Sequence, residues 1–579
     1  MCGIFASLFF CDNDDERRHT YYNDTFHTGI SKLKRRGPDD IKSSFINEYL
    51  FMGFTRLSIN DLTSNGMQPM CISIPNKPNK HIWLVCNGEI FNHEKLIRDY
   101  ELSTNSKSDC EVILHLYAKM IHGNDSDDSD NSDNNVDDDD DVYKRLINLL
   151  DGEFAFVLFD EERESVLVAR DNFGVRPIFW GLNTSKNIIS FASELKALSY
   201  FCDEVQQFPS GSYYTYTISN FKTLQTIPTK LDTKSYCNIL STNTYINHED
   251  YNELETLTQI NILFRDAVKK RLMSERPLCC LLSGGLDSSL VASLVASHFP
   301  PYTIHTFSIG LVGSPDLKYA KQVAEFIQSN HHSIELDEHE FLSALEDTIE
   351  TIESYDTTSV RASVGNLLVS KYIKKHTDFK VVFNGDYSDE VCGGYKYLWN
   401  APSTNVFDEE CRSLVKNICY FDSLRSDRTI SGQGLEARVP FADKTFVKYY
   451  LSIPPQYRIP NGSDRPEKYL LRKAFEHDNL LPYDVLWRPK EAFSDGVSKQ
   501  DNSWHSIINN HINTIVTDDD FQKSILNISY NIPSLKETFY YRRIFEKIYG
   551  KQFTNIIPYY WLPKWCGDLK DPSAREIMK

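Results

Sequence analysis

Two different hydrophobic periods divide this chain, and one layer architecture does not accommodate both. From Met1 to Gly211 the apolar residues fall in short strand-like runs: CGIFASLFF, YLFMGFTRLSI, HIWLVCNGEI and FAFVLFDEERESVLVARD. The last reads as a hairpin, two alternating strands around a charged turn at Glu161 to Glu164. Between these runs, DCEVILHLYAKM at 109–120 repeats its apolar residues at helical spacing. The mixture predicts an α+β domain built on antiparallel sheet. From about Glu255 the order becomes helices alternating with compact apolar strands, as in ETLTQINILFRDAVKKRLMS, PLCCLL, SSLVASLVASHF, YTIHTFSIG, LKYAKQVAEFIQSN and FKVVFNG. That alternation predicts a mostly parallel sheet covered by helices, with ligands at the carboxyl ends of the strands. Residues 212–254, polar and rich in Thr and Tyr, read as an interdomain segment, which leaves domains at 2–211 and 255–560.

Charge decides what the chain does not bind. Against 62 Lys and Arg stand 81 Asp and Glu, a net of −19, whereas nucleic-acid binding by counterion release needs dense cationic surface. Ten of those excess charges are the aspartates of DSDDSDNSDNNVDDDDD at 125–141, which contains no Lys or Arg. Self-repulsion and a lack of apolar side chains make this an insertion on the surface of the first domain. It lacks the Gly and closing Glu of a calcium loop. The 13 Cys are odd in number, follow no repeated spacing, and several lie in apolar runs such as CCLL at 279–282, so reduced thiols are expected rather than a disulfide framework. The start, MCGIFASLFFC, has no basic leader. No stretch reaches the roughly 18 apolar residues needed to cross a bilayer. A cytoplasmic chain with no membrane or nucleic-acid partner is the expectation.

Ser283, Gly284, Gly285, Leu286, Asp287, Ser288 and Ser289 form SGGLDSS, between the CCLL strand and the next helix. Glycines permit a tight turn, and a helix start presents free N–H groups to an anion, which together make a phosphate cradle. The loop lacks the Gly-Lys-Ser/Thr ending of the usual nucleotide loop. Asp287 would repel phosphate unless a cation lay between, which points to Mg²⁺. The bland alternative is a strand-to-helix turn with a capping acid. A second acidic set weighs against it: GDYSDE at 385–390 also follows a buried strand, so parallel topology brings Asp287 and Asp389 to one rim, where they could share the metal. Asp386 and Glu390 are then supporting groups or a base.

At the other end, removal of Met1 would make Cys2 the first residue. Its thiol would then lie beside an α-amine with a reference pKa of about 7.7–8.0, so one residue would hold both nucleophile and base. The bland reading is an accidental Met-Cys start, since most cysteines here must be structural.

These motifs carry a resemblance. CGIF, RRGPD, TRLSI, NGEIFNH and ARDNFGVRP resemble class II glutamine amidotransferase domains, which implies an αββα N-terminal-nucleophile sandwich. The family's pattern implies that Cys2 is the nucleophile and that Arg56 holds the glutamine α-carboxylate. By the same likeness, Asn87 and the Gly88 N–H serve the oxyanion, Asp109 binds the α-amine, and Glu89 lies nearby. Arg suits a carboxylate through its rigid fork, and amide donors stabilise the oxygen on which charge grows. Each taken singly also reads as a surface pair or a turn. Arg170, Asp171 and Arg176 look structural. SGGLDSS resembles the pyrophosphate loop of ATP pyrophosphatases. GDYSDEVCGGY, GLEARVPFAD at 434–443, EKYLLRKAF and PKEAFSDGV are similar to segments of glutamine-dependent asparagine synthetases.

That resemblance implies ATP and Mg²⁺ as cofactors, and L-glutamine and L-aspartate as substrates beside ATP. It places Lys468 on the phosphates and Arg438 near aspartate, and it suggests a homodimer and a protected passage for ammonia. Asp386 is the catalytic candidate of the second domain. The family usually has Glu followed by Gly where this chain has Asp386 and Tyr387, and Asp reaches about one methylene less far toward a proton it must meet at roughly 2.6–3.2 Å. The expected reaction makes asparagine through β-aspartyl-AMP. Three alternatives stand beside it: another carboxylate-adenylating amidotransferase, a catalytically impaired scaffold, and a nucleic-acid-modifying adenylating enzyme, the last opposed by the absence of a basic patch interleaved with aromatics.

Overall fold

A computed structural model describes residues 1–9, 16–123, 139–218, 230–240, 245–462, 464–499 and 502–573. Most of the acidic insertion read at 125–141 lies outside the described residues, while Asp139 to Asp141 open the helix Asp139–Leu149. The chain divides into two compact units, Met1–Asn238 and Ile239–Lys579.

The first unit holds two six-stranded sheets. One runs β10-β8-β9-β1-β3-β2 and the other β12-β11-β7-β6-β5-β4. The strands are β1 (Gly3–Phe9), β2 (Asp40–Asn47), β3 (Leu50–Arg56), β4 (Met70–Ile74), β5 (Lys77–Ile90), β6 (Gly152–Asp160), β7 (Ser165–Arg170), β8 (Phe179–Asn183), β9 (Ile188–Ala192), β10 (Glu204–Gln207), β11 (Ser212–Thr217) and β12 (Lys234–Ser235). Every pairing in both sheets is antiparallel. Because side chains alternate along a strand, β1 serves two layers: Ile4, Ala6 and Leu8 enter the core between the sheets with Val85, Val157 and Val168. Phe5 and Phe9 face the helix Glu16–Ser31, packing on Phe26 and Tyr22. The outer face of the second sheet packs Leu84, Phe156 and Leu158 against Val112, Leu116 and Leu146 of the helices Glu111–His122 and Asp139–Leu149. The layers are therefore helix, sheet, sheet, helix, the expected αββα sandwich. The polar stretch after Gly211 does not begin as a linker: SYYTYT alternates, and as β11 it pairs with β7 in full register.

The second unit carries one parallel sheet, ordered β15-β14-β13-β16-β17. Its strands are β13 (Leu278–Leu281), β14 (His305–Leu311), β15 (Asn330–Leu336), β16 (Val381–Phe383) and β17 (Glu436–Arg438). The central strand β13 is parallel to β14 on one side and β16 on the other, with Cys280 opposite Phe383. The chain order reverses at that point, so the loops leaving β13 and β16 emerge side by side at the carboxyl edge, where open α/β sheets bind ligands. No helix among the described residues is long and apolar enough to cross a membrane.

The helix Thr357–His376 flanks this edge and is fastened by Arg361. Its guanidinium is buried, with Nε 2.7 Å from Glu537 Oε1 and Nη1 2.7 Å from Asp571 Oδ1. Removing one partner of a buried ion pair strands the other charge. Glu537→Ala is expected to destabilise the second unit by about 3 kcal/mol, read as a lower thermal midpoint for that unit; an unchanged midpoint would show that Asp571 alone satisfies Arg361.

Candidate active sites

In the first unit, the turn after β3 organises the site. Cys2 immediately precedes β1, and its sulfur accepts the Leu57 N–H at 3.4 Å while its thiol reaches the Leu57 carbonyl at 3.5 Å. Three residues on, Asn60 Nδ2 donates to Glu89 Oε2 at 2.7 Å and to Asp109 Oδ1 at 3.3 Å. The same turn is held by Arg56, whose Nη1 donates to the Thr63 carbonyl at 2.6 Å and whose Nη2 reaches the Asp61 carbonyl. One short turn thus touches the nucleophile candidate at one end and two converging carboxylates at the other. Such a pair of carboxylates suits an ammonium group.

Asn87 and Gly88 lie near the end of β5. Asn87 is wholly buried, and neither its amide nitrogen nor its amide oxygen has a hydrogen-bond partner among the described residues. Buried polar groups are rarely left so, and an amide with this freedom is ready to meet an oxyanion. Gly88 admits no side chain, since a Cβ there would strike the Glu153 carbonyl and come within 2.7 Å of Phe154 Cα. Arg36, of the RRGPD motif, fixes the start of the chain: its Nε donates to the Cys2 carbonyl at 2.9 Å and its Nη1 pairs with Glu194 at 3.0 Å. Arg170, Asp171 and Arg176 form a buried knot, with Arg170 on the Arg176 and Gly174 carbonyls and Asp171 accepting the Val175 and Arg176 N–H groups. Met1 is present and buried, so the Cys2 nitrogen is an amide until Met1 is removed.

In the second unit, SGGLDSS leaves β13 and enters the helix Leu286–Ala296. Gly284 has φ +73°, and a Cβ there would run into the chain at Tyr319 and Ala320. Ser283 and Ser288 pair their hydroxyls at 2.9 Å across the loop, while Ser289 Oγ is buried with no hydrogen-bond partner among the described residues. Asp287 faces the loop after β16. Gly385 makes this approach feasible, because a Cβ there would lie 2.5 Å from Ser288 N and 2.9 Å from Asp287 Cβ.

Lys468 joins the two acidic segments. Its ammonium lies 2.7 Å from both oxygens of Asp287 and 2.6 Å from Asp389 Oδ1. Lys490 Nζ also meets Asp389 and stands 3.9 Å from Asp287. Burial pushes the Asp389 carboxyl up, but Lys468 and Lys490 outweigh it and hold it below the usual range. Burial depresses Lys468, and Asp287 and Asp389 overcome that to raise it. Lys468 adopts φ +58°, a left-handed conformation that a non-glycine residue keeps only where its surroundings impose it. Gly394 is part of that enclosure, since a Cβ there would collide with Asp389 Oδ1 and Lys468 Cε.

Two carboxylates that converge on one cation, with oxygen donors only, fit a hard divalent ion that takes its other ligands from phosphates and water. Among the described residues no group of three or more His, Cys, Asp and Glu side chains makes a protein-only metal cage, and the pair Asp287–Asp389 suits an ion shared with substrate.

The same cavity is lined by Asp386, Tyr387, Glu390, Tyr395, Asp422 and Arg425. Arg425 Nη2 donates to Asp386 Oδ1 at 2.6 Å and pairs with Asp422 at 3.0 Å. Asp386 Oδ2 is buried and without a hydrogen-bond partner among the described residues. Burial raises the Asp386 carboxyl, and Arg425 opposes it. Tyr395 donates to Glu390 Oε1 at 2.5 Å.

Arg438 does not join the cavity. It ends β17 with its side chain fully buried, Nε 2.7 Å from Glu436 and Nη1 donating to the Arg271 carbonyl at 3.0 Å. It ties the edge strand to the chain beyond the helix Glu253–Lys270, and its expected place near aspartate is corrected to a structural one. Asn60, Arg36, Lys490, Arg425, Asp422 and Tyr395 are absent from the candidates expected above. RRGPD, PKEAFSDGV and GDYSDEVCGGY mark Arg36, Lys490 and Tyr395 as members of motifs; Asn60, Arg425 and Asp422 stand in segments with no chemical signature of their own.

Comparison with known proteins follows the same division. A model of the glutamine amidotransferase domain family matches residues 54–200, and the asparagine synthase family model matches 259–409 and 400–561. The glutamine-hydrolyzing asparagine synthetase of Homo sapiens is 39% identical over 595 residues, covering 100% of this chain and 98% of the relative. Those of Rattus norvegicus and Gallus gallus are 38% and 39% identical, with the same coverage.

Two substitutions test the geometry. Asn87→Ala is expected to slow glutamate release from glutamine about 100- to 1,000-fold with little change in melting, since the amide has no protein partner to lose. Gly394→Ala is expected to abolish ATP-dependent synthesis and leave glutamine hydrolysis intact; normal synthesis would show that Lys468 need not sit between the aspartates.

Proposed function

Because the chain belongs to the family of glutamine-hydrolyzing asparagine synthetases, we infer that it makes asparagine from aspartate, with glutamine as nitrogen donor and ATP as the activating substrate. The Cys2 thiolate attacks the glutamine amide carbon, and Asn87 with the Gly88 N–H meets the oxygen that gains charge. The proton taken by the Cys2 α-amine passes to the leaving nitrogen, ammonia departs, and water releases glutamate from the thioester. Asp109 and Glu89 receive the substrate ammonium, and the family resemblance supports Arg56 as the group that holds the substrate carboxylate.

In the second unit, an oxygen of the aspartate side-chain carboxylate attacks the α-phosphorus of ATP. The bond to the bridging oxygen breaks and pyrophosphate leaves along the start of the helix Leu286–Ala296, where backbone N–H groups and Ser283 and Ser288 line the cavity. Asp287 and Asp389 would hold Mg²⁺, which when bound neutralises charge on the phosphates. Lys468 then has phosphate oxygens as its natural partners. Ammonia attacks the carbonyl carbon of β-aspartyl-AMP, Asp386 Oδ2 accepts the proton, and AMP leaves. The observation that carries this reading is the convergence of Asp287, Asp389 and Lys468 on one point beside a helix start. The resemblance also supports work in the cytoplasm and a homodimeric assembly. An impaired scaffold is disfavoured, since Asn87, Lys468 and both aspartates are in place.

Incubation with amide-¹⁵N glutamine, aspartate and ATP is expected to yield ¹⁵N-asparagine and AMP; absence of both would favour a scaffold. Cys2→Ala is expected to end glutamine use and spare synthesis from added ammonia. Active protein should lack Met1 by intact mass, and a form that keeps Met1 with full glutaminase activity would contradict the role of the α-amine.

A further inference from the structure

Asp386 and Tyr387 are neighbours in sequence, and both are bound to one stretch of chain across the cavity. Tyr387 is buried, 2% exposed, and stands at φ +77°, in the left-handed region that favours glycine. Its hydroxyl meets the hydroxyl of Ser423. Ser423 immediately precedes a π-helical turn, Leu424–Arg428, which carries Arg425; such turns often mark functional sites. Arg425 in turn holds Asp386 Oδ1 at 2.6 Å. A third link runs from Asn384 Nδ2 to Ser426 Oγ at 2.8 Å, while the Asp386 N–H donates back to Asn384 Oδ1 at 3.2 Å. Residues 384, 386 and 387 are therefore fastened to 426, 425 and 423, and the carboxylate oxygen that takes no part in these links is Asp386 Oδ2, buried without a hydrogen-bond partner among the described residues, as is Arg425 Nε.

A short carboxylate has little reach of its own, so its position depends on what holds its backbone and its other oxygen. We propose that Tyr387 is a positioning residue for amide formation: through Ser423 it fixes the Arg425 turn, and Arg425 then aims Asp386 Oδ2 at the reacting nitrogen. The strained backbone at Tyr387 persists because its surroundings determine it on both sides. This role rests on the assignment of Asp386 as proton acceptor made above.

The test uses the full-length protein with ammonia as nitrogen donor, in the variants Tyr387→Phe, Ser423→Ala, their combination, and Asp386→Asn. Tyr387→Phe keeps the ring in place and removes only the hydroxyl. It is expected to lower kcat for asparagine about five- to tenfold, the worth of one hydrogen bond. ATP–pyrophosphate exchange, the KM for ATP and the melting midpoint should stay at parental values. Ser423→Ala should do the same, and the combination should be no slower than either alone, because both remove one bond. Parental kcat in Tyr387→Phe, or equal losses in synthesis and exchange, would overturn the proposal while leaving Asp386 in its role. Parental kcat in Asp386→Asn would overturn both.

Discussion

Two carboxylates and one ammonium, brought to a single point at the carboxyl edge of a parallel sheet, set the constraint on which the second unit depends. Buried charge survives only when paired, so Asp287, Asp389 and Lys468 must arrive together. Adjacent parallel strands, β13 and β16, deliver the first two. Gly385 and Gly394 leave out the side chains that would hold them apart. Lys468 accepts a left-handed backbone to reach them. Such a cluster is suited to an anionic substrate with its own cation, which can exchange partners with the protein without stranding a charge.

The first unit solves a different problem. Glutamine hydrolysis needs a nucleophile, a base, an oxyanion site and a place for an amino acid's charged groups. The turn after β3 supplies much of the order, because residues 57–63 touch Cys2, Arg56 and the Glu89–Asp109 pair. Asn87 shows the cost of readiness: a buried amide with no partner is a local loss of stability, kept where a substrate atom will use it.

The residues of both sites were legible in sequence to different depths. SGGLDSS and GDYSDE stand next to apolar strands, so topology alone predicts that they meet, and they do. Strands β15, NHHSIEL, and β17, EAR, are not legible in the same way: the first is a polar edge strand and the second has three residues, and neither makes an apolar run. The alternating SYYTYT of β11 was masked by its polarity. Lys468 illustrates a deeper limit, since a motif can suggest phosphate contact but not that the same ammonium bridges two aspartates 181 and 79 positions away. Arg438 shows the converse: a long motif match says that a segment matters, and only packing reveals that the side chain faces Arg271 rather than the cavity. Tyr387 and Arg425 act through partners distant in sequence, where periodicity carries no information.

The central claim is that this edge of the sheet makes an acyl adenylate from a side-chain carboxylate. Aspartate labelled with ¹⁸O in that carboxylate tests it directly, by mass analysis of the products formed with ATP and ammonia. Attack on the α-phosphorus, followed by displacement at carbon, must leave one ¹⁸O in AMP and one in asparagine. Label found in AMP is the predicted result; unlabelled AMP, with ¹⁸O in inorganic phosphate or retained in full by the amino acid, would contradict it.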